Sequence, residues 1–571
     1  MQKKILTKIQ GMNKALLAIE IQKKGGVFLH SSPFFKKHLQ MANLVRPVYF
    51  LTHHKNFYMK KNILILLLAL LLGSTAFAQN ATIKIDIDRT IGEIDPNIYG
   101  VFMEPIHFNG ARMGLPDSVD FNTLYGTLYD PASPKANEDG FRKDYIDAMK
   151  ELKITNMRWP GGNFLMGYDW KDGIGPKDQR PTRINLAWGG KDNNHVGTDE
   201  WMKLNKSIGS ENVVAVNLGL GSILDAAYWV EYCNYKGGTY YSDLRAKNGH
   251  AAPYNVKIWD LGNEVDGLPW ELGHKNAEDY VETAREAAKA MKAVDPSIKL
   301  VGSGSSYYEP TGKWIDWNRK VLNGIGDKID YLSIHRYWEG GSPDNYYAYM
   351  GDGAMDFDEK IKIVAGQIAT ASVQNGFKHP IHLSVDEWGA FARNFMAVLP
   401  IAQCLNSFIR HADVVKMANF TMLTSLLSND TKNGTFKSPV FYTFKAFSNN
   451  CTGTSVDTYV SCDTFSTAQY KDIPYLDVTA VYSKETNTIV VNVINRHQDK
   501  AITADVISTS GNFSGKAEAS IVNSDDLKAP FDFAKQAQYI PVTKEAKFNG
   551  NKLTYTFPPH SFTQIKAGLA R

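Results

Sequence analysis

The sequence lacks most of the residues that would mark it as disulfide-framed, metal-built or nucleotide-binding. Its four cysteines in 571 residues, Cys233, Cys404, Cys451 and Cys462, show neither CxxC nor a His/Cys zinc spacing, which argues against a disulfide framework and a structural zinc. Cys451 and Cys462 could pair with each other or be inert buried thiols, the latter being the simpler reading. There is no serine nucleophile elbow, HExxH or phosphate loop, so hydrolysis by serine or metal is unsupported. Gly219-Leu220-Gly221 looks like the start of a dinucleotide loop, but Leu224 stands where its third glycine is needed. Internal repeats and low-complexity linkers are also missing.

Long apolar runs are absent with one exception. Met59-Lys60-Lys61 precedes the run Ile63 to Leu72 and then Ala76-Phe77-Ala78, the pattern of a signal peptide, and the run is short for a membrane span. Residues 59–78 are therefore expected to be a cleaved leader, 1–58 to lie upstream of the true start, and the protein to be exported, periplasmic or secreted, with no membrane attachment after cleavage. An excess of positive charge is lacking too. The formal net charge is +4, but residues 1–78 hold 12 of the 63 basic and one of the 59 acidic residues, so the remainder carries −7. No nucleic-acid-binding patch survives that correction.

What is present fits a soluble globular enzyme: 43% hydrophobic, 21% charged and 12% aromatic, the last suited to flat sugar faces. From residue 96 to about 425, β-rich runs alternate with helical patterns, as in βα units around a parallel sheet. Eight strands are predicted: Ile98 to Glu104, Ile154 to Pro160, Val213 to Gly219, Val256 to Asn263, Lys299 to Gly302, Tyr331 to Tyr337, Ile381 to Trp388 and Val414 to Thr421. Eight is the number that closes a (β/α)8 barrel, with its chemistry at the strand C-terminal ends. A helix is predicted from Ala277, where Tyr280, Val281, Ala284, Ala288, Met291 and Val294 recur at helical spacing until Asp295-Pro296.

Beyond about residue 445 the pattern turns to alternating strands, among them Leu476 to Tyr482, Thr488 to Ile494 and Leu553 to Phe557, which reads as a β-sandwich of jelly-roll type. Thr82 to Ile87 alternates too and could add a strand to it. The expected division is 79–95 as strand joining the sandwich, 96–445 as catalytic barrel and 446–571 as sandwich.

Two stretches carry chemistry: Trp259-Asp260-Leu261-Gly262-Asn263-Glu264 and Ser384-Val385-Asp386-Glu387-Trp388-Gly389. Each ends a predicted buried strand in a glutamate, on strands four and seven, which face each other across a barrel mouth. Acetal hydrolysis needs such a pair: one carboxylic acid to protonate the departing oxygen, one carboxylate to attack or stabilise the oxocarbenium-like centre.

With these residues in place, the chain resembles glycoside hydrolase family 51, the α-L-arabinofuranosidases. The resemblance runs in family order over roughly residues 95 to 430, through Gly100 to Glu104, Asp139 to Asp144, Arg158 to Phe164, Tyr168 to Trp170, Asp172 to Pro176, Trp229 to Asn234, Gly262 to Gly267 and Ser333 to Tyr337. It implies a retaining mechanism with Glu264 as acid/base and Glu387 as nucleophile, their carboxyls about 5 to 5.5 Å apart. It further implies that Asn263 bonds the sugar 2-hydroxyl, that Arg158 orients the nucleophile, and that Glu104 and Asn163 grip furanose hydroxyls. Tyr337 would contact Glu387 and His335 would line the pocket, while Trp388 and Trp338 either wall it or pack inside.

The implied substrate is a terminal α-L-arabinofuranosyl residue on a polysaccharide or oligosaccharide, with no cofactor or metal, and family members often form homo-oligomers. Two departures stand out. Met422 occupies the position after strand eight where the family commonly has a sugar-facing amide, and Gly389-Ala390-Phe391 replaces the Asn and aromatic residues often found there. They keep open an endoglucanase or xylosidase on the same barrel. A carbohydrate-binding protein without catalysis is a further alternative, against which both glutamates argue.

Overall fold

Eight short runs of mostly buried residues form parallel strands in the computed structural model: Gly100–Phe102, Asn156–Trp159, Glu211–Val216, Ile258–Leu261, Lys299–Gly302, Tyr331–Trp338, His382–Ala390 and Val415–Phe420. Each pairs with the next in the chain, and the eighth returns to the first through Asn419 opposite Gly100, closing the barrel. The structure describes residues 81–109, 120–269, 271–308, 311–390, 392–421, 426–430 and 434–570. The expected leader at 59–78, the stretch 1–58 and Met422 lie outside the described residues.

Strands buried on both faces read as continuous apolar runs, as parallel sheets require. Inside the barrel, Val213, Ile258, Val301, Tyr331 and Met417 form one packed layer, leaving the polar strand ends to face the opposite mouth. The helix Ala277–Val294 has the predicted bounds. Asn276 caps it by accepting from the Asp279 N–H at 2.8 Å, and Tyr280, Val281, Ala284, Ala288 and Met291 are buried.

The C-terminal strands join one ten-stranded sheet, in which the amino-terminal strand Ala81–Glu93 lies between Thr454–Ser461 and Ile502–Ser508. That sheet doubles over on itself. Phe513 and Phe548, from strands at nearly opposite ends of the order, bring their rings to 6.0 Å, and apolar residues from eight of its strands share one core. This is the doubled sheet of a sandwich. No helix among the described residues is long and apolar enough to cross a membrane. All four cysteines are free thiols, so the Cys451–Cys462 pairing is not made; Cys451 is fully buried, its sulfur beside the Asn492 amide at 3.3 Å.

Candidate active site

The carboxyl ends of the strands gather a charged cluster around Arg158, which closes the second strand and is fully buried. A guanidinium offers a fork of donors with fixed geometry, and three of them are used. Nε donates to Asp260 Oδ2 at 2.6 Å, Nη1 to Glu387 Oε1 at 2.8 Å and Nη2 to Asn263 Oδ1 at 2.7 Å. Asp386 Oδ2 lies 3.6 Å from Nε, and the Phe102 ring covers the guanidinium at 5.1 Å. Burial would lower the arginine pKa, but Asp386, Asp260 and Glu387 more than reverse it.

Glu264 and Glu387 converge as their strand positions predict. A carboxylate oxygen of each lies within 4.8 Å of the other and of a His335 ring nitrogen. Glu387 Oε2 accepts from the Tyr337 hydroxyl at 2.6 Å, and that hydroxyl also meets Thr421 Oγ1 at 2.7 Å. His335 Nδ1 is 2.8 Å from Glu264 Oε1. These three side chains have metal-ligand atoms, but the Arg158 guanidinium already stands against Glu387 where a cation would be drawn.

The environment of Glu264 favours its protonated form, as the acid role requires. Burial first, and then the charge of Glu387, pushes Glu264 up to about 7, with His335 pulling the other way. His335 is itself held well above its ordinary value: burial disfavours its charge, but Glu387, Asp386 and Glu264 outweigh that. Glu264 is in the left-handed backbone region at φ +42°, a strained conformation for a side chain of this size, of the kind found at functional sites.

Glu104 comes from just beyond the first strand. Its Oε1 accepts from the Phe164 N–H at 2.7 Å and from Trp188 Nε1 at 2.6 Å. Burial and the nearby charge of Glu387 raise it to about 8. Gly162 forms the floor between these groups, since a Cβ there would lie 2.9 Å from Glu387 Oε1 and 3.1 Å from Glu104 Oε2. At the mouth Asn263 Nδ2 and Asn163 Oδ1 are among the buried polar atoms without a hydrogen-bond partner, as is Asp260 Oδ1 beside Arg158. Buried polar atoms are rarely left so, and a hydroxylated ligand would satisfy the two asparagines.

The structure thus gathers Glu104, Arg158, Asn163, Asn263, Glu264, His335, Tyr337 and Glu387 at one mouth. Trp388 and Trp338 pack inside and form no wall. Trp388 is fully buried against Phe408, Phe420 and Phe444, and Trp338 is buried against Phe357 beneath Arg336. Sequence reasoning missed Asp260, Asp386, Trp188 and Thr421. Trp188 belongs to the connection between the short strands Arg183–Ile184 and Lys191–Asp192, and no spacing ties it to Glu104. Asp386 was hidden by strand alternation, which sends it and Glu387 to opposite faces.

Comparison with known proteins bears on this geometry. The family model "Alpha-L-arabinofuranosidase 1 domain" matches residues 148–339, and "Alpha-L-arabinofuranosidase C-terminal domain" matches 386–561. A Bacillus subtilis protein named intracellular exo-α-(1→5)-L-arabinofuranosidase 1 is 36% identical over 515 residues, covering 86% of this chain and 99% of its own. Emericella nidulans α-L-arabinofuranosidase C is 34% identical over 503 residues, covering 80% and 96%. The crystal structure of the Thermotoga maritima α-L-arabinofuranosidase in complex with arabinose superposes with TM-score 0.75 at 30% identity, covering 85% of this chain and 99% of that one.

These relatives correct one expectation. The Bacillus subtilis protein and two further bacterial relatives are named as intracellular, which overturns the reading of an exported, periplasmic or secreted protein. That reading rested on the composition of a short lysine-flanked apolar run, whereas the relatives match over most of their own length. With the barrel, the sheet domain and these matches together, the chain belongs to the α-L-arabinofuranosidases of glycoside hydrolase family 51.

Proposed function

We propose that this protein releases terminal non-reducing α-L-arabinofuranosyl residues from arabinose-containing glycans by retaining double displacement, with Glu387 as nucleophile and Glu264 as acid/base. The observation that carries the assignment is the approach of their carboxylate oxygens to within 4.8 Å. Retaining enzymes hold the two carboxyls about 5 to 5.5 Å apart, whereas inverting ones leave about 6.5 to 9.5 Å for a water.

In the first step Glu387 attacks the anomeric carbon while Glu264 gives its proton to the glycosidic oxygen, leaving a covalent glycosyl-enzyme and the free alcohol. Glu264, now a carboxylate, takes a proton from water as that water displaces Glu387. Arg158 and Tyr337 hold the two oxygens of Glu387 in the attacking orientation through charge-assisted and hydroxyl hydrogen bonds. Asn263, with Oδ1 fixed by Arg158 and Nδ2 unpartnered, is aligned to donate to the sugar 2-hydroxyl, and Glu104 and Asn163 take the remaining furanose hydroxyls.

The (1→5) linkage in the bacterial relative's name makes linear arabino-oligosaccharides the first natural substrate to try. The test compares aryl α-L-arabinofuranoside with aryl β-D-xyloside and β-D-glucoside, for the parent and Glu387→Ala. Arabinofuranoside should be cleaved selectively, with a loss of at least about 10⁴-fold in the variant. Azide should then restore turnover of an activated arabinofuranoside with inversion, giving the β-azide. Preferred cleavage of another glycoside, or an unimpaired variant, would discard the assignment.

A further inference from the structure

The turn that carries Glu264 is held by a third buried carboxylate with no place in the double displacement. Gly267 N–H closes the turn on the Glu264 carbonyl at 2.8 Å. Glu271, buried to 6% exposure, braces the next residue, its Oε2 accepting from Leu268 N–H at 2.8 Å. Its Oε1 accepts from the Tyr307 hydroxyl at 2.5 Å. Tyr307 follows the fifth barrel strand, so the contact ties together the neighbouring loops after strands four and five.

The approach is close. A Cβ on Gly267 would stand 1.8 Å from Glu271 Oε2 and 2.6 Å from the Glu264 carbonyl oxygen, so only glycine admits the carboxylate against this turn. A second bond between the same loops, from Ser306 N–H to Asp266 Oδ2 at 2.8 Å, fixes the neighbouring side chain. Loop anchoring alone would be met by a neutral amide. A carboxylate receiving two donors beside a general acid places charge where it affects that acid.

We propose that Glu271 is a positioning residue for Glu264. It fixes the turn that carries the acid and, held by Tyr307, sets a second negative charge beside it, so that the proton stays on Glu264 until the glycosidic oxygen takes it. This rests on the reading of Glu264 as acid/base. The groups acting on Glu264 are Glu387, itself bound by Arg158, then His335 and Tyr337 from the sixth strand, Tyr307 from the fifth loop and Glu271 from its own loop, where Asp266 is two residues on and turned to Ser306. Of these carboxylates, Glu387 is consumed by bond formation during the cycle, whereas Glu271 forms no bond to the sugar. Burial, and then the charges of Glu264, Glu271 and Glu387, raise the Tyr307 hydroxyl, so it stays a donor to Glu271.

Glu271→Gln removes the charge and keeps an oxygen and shape for Leu268 and Tyr307; Tyr307→Phe keeps the charge and removes its partner. In the pH profile of kcat/KM, Glu271→Gln should move the basic limb down by about half a pH unit. Cleavage of a poor alkyl leaving group should then fall by about twofold at pH 7 and about threefold well above the limb, with a smaller loss for dinitrophenyl arabinofuranoside, which needs little protonation. Tyr307→Phe should not move the limb down. Azide rescue of Glu264→Ala, giving the retained α-azide, checks the acid/base reading separately. If that rescue occurs while Glu271→Gln leaves the limb and the leaving-group dependence as in the parent, Glu271 is merely structural and the proposal is overturned. Absence of rescue would overturn the acid/base reading and this proposal with it.

Discussion

At the scale of single residues, the acid's proton is set by opposing neighbours, and the sign of each can be tested. Glu264 is raised to about 7 by burial and by Glu387, and lowered by His335. The productive form of an acid is protonated, so kcat/KM should decline as pH rises through about 7. Replacing His335 by Asn removes the group that favours ionised Glu264, so the declining limb should move to higher pH even as the maximum rate falls. A pH–rate profile with an alkyl arabinofuranoside reads both, and a downward shift in His335→Asn would contradict this account. Glu264, Glu387 and Asn263 were legible in the sequence because each stands at a strand end in an unusual run. Asp260 was in plain view, two residues before a glycine-asparagine pair, yet nothing in the sequence says that Arg158, 102 positions away, needs it.

Secondary-structure elements account for the omission of Asp386. Strand alternation sends Asp386 and Glu387 to opposite faces, and by that rule only one can meet Arg158. The seventh strand breaks the rule with a bulge: Ser384 pairs with Ser333 but Glu387 with His335, so one strand holds two residues between these pairs where its neighbour holds one. Asp386 thereby reaches Ser333 and lies 3.5 Å from His335 Nε2, while Glu387 faces the mouth. A bulge depends on tertiary pairing and leaves no mark in the sequence, whereas the eight strands themselves, read from apolar runs, were placed to within a few residues. The turn after the second strand can be tested at the same scale. In Gly162→Ala the added methyl has no room between Glu387 and Glu104, and Glu387 is pinned by Arg158 and Tyr337. The fold should persist, as seen by an unchanged circular dichroism spectrum, while kcat/KM falls about 100-fold, the cost of displacing a reacting group by about 1 Å. Near-parental activity would show that the floor is soft.

At the scale of the whole molecule, barrel and sandwich are joined by buried charge as well as apolar packing. From the helix Val398–Arg410, Arg410 donates to Asp358 Oδ2 at 2.7 Å and also binds Asp477 of the sheet, which Arg496 meets at 3.1 Å. His411 approaches Asp358 at 3.2 Å. Arg410, followed by His411, outweighs burial and holds Asp358 well below the usual carboxylate range. A depressed carboxylate contributes stability that is present above its unfolded value, near 4, and is lost as pH falls below it. Arg410→Ala takes from two buried carboxylates the cation they share, leaving Asp358 to His411 and Asp477 to Arg496, and should cost about 3 kcal/mol at pH 7. Near pH 3 the loss should be smaller, because the parent has by then given up part of the same contribution. Thermal melts at the two pH values measure the difference, and an equal loss at both would deny the ion pair its role. All eleven tryptophans precede residue 389, so their fluorescence follows the barrel, while circular dichroism follows barrel and sheet together. If the seam couples the two, both signals should share one midpoint in the parent and separate in Arg410→Ala, since cooperativity between domains is carried by the contacts that would have to break together.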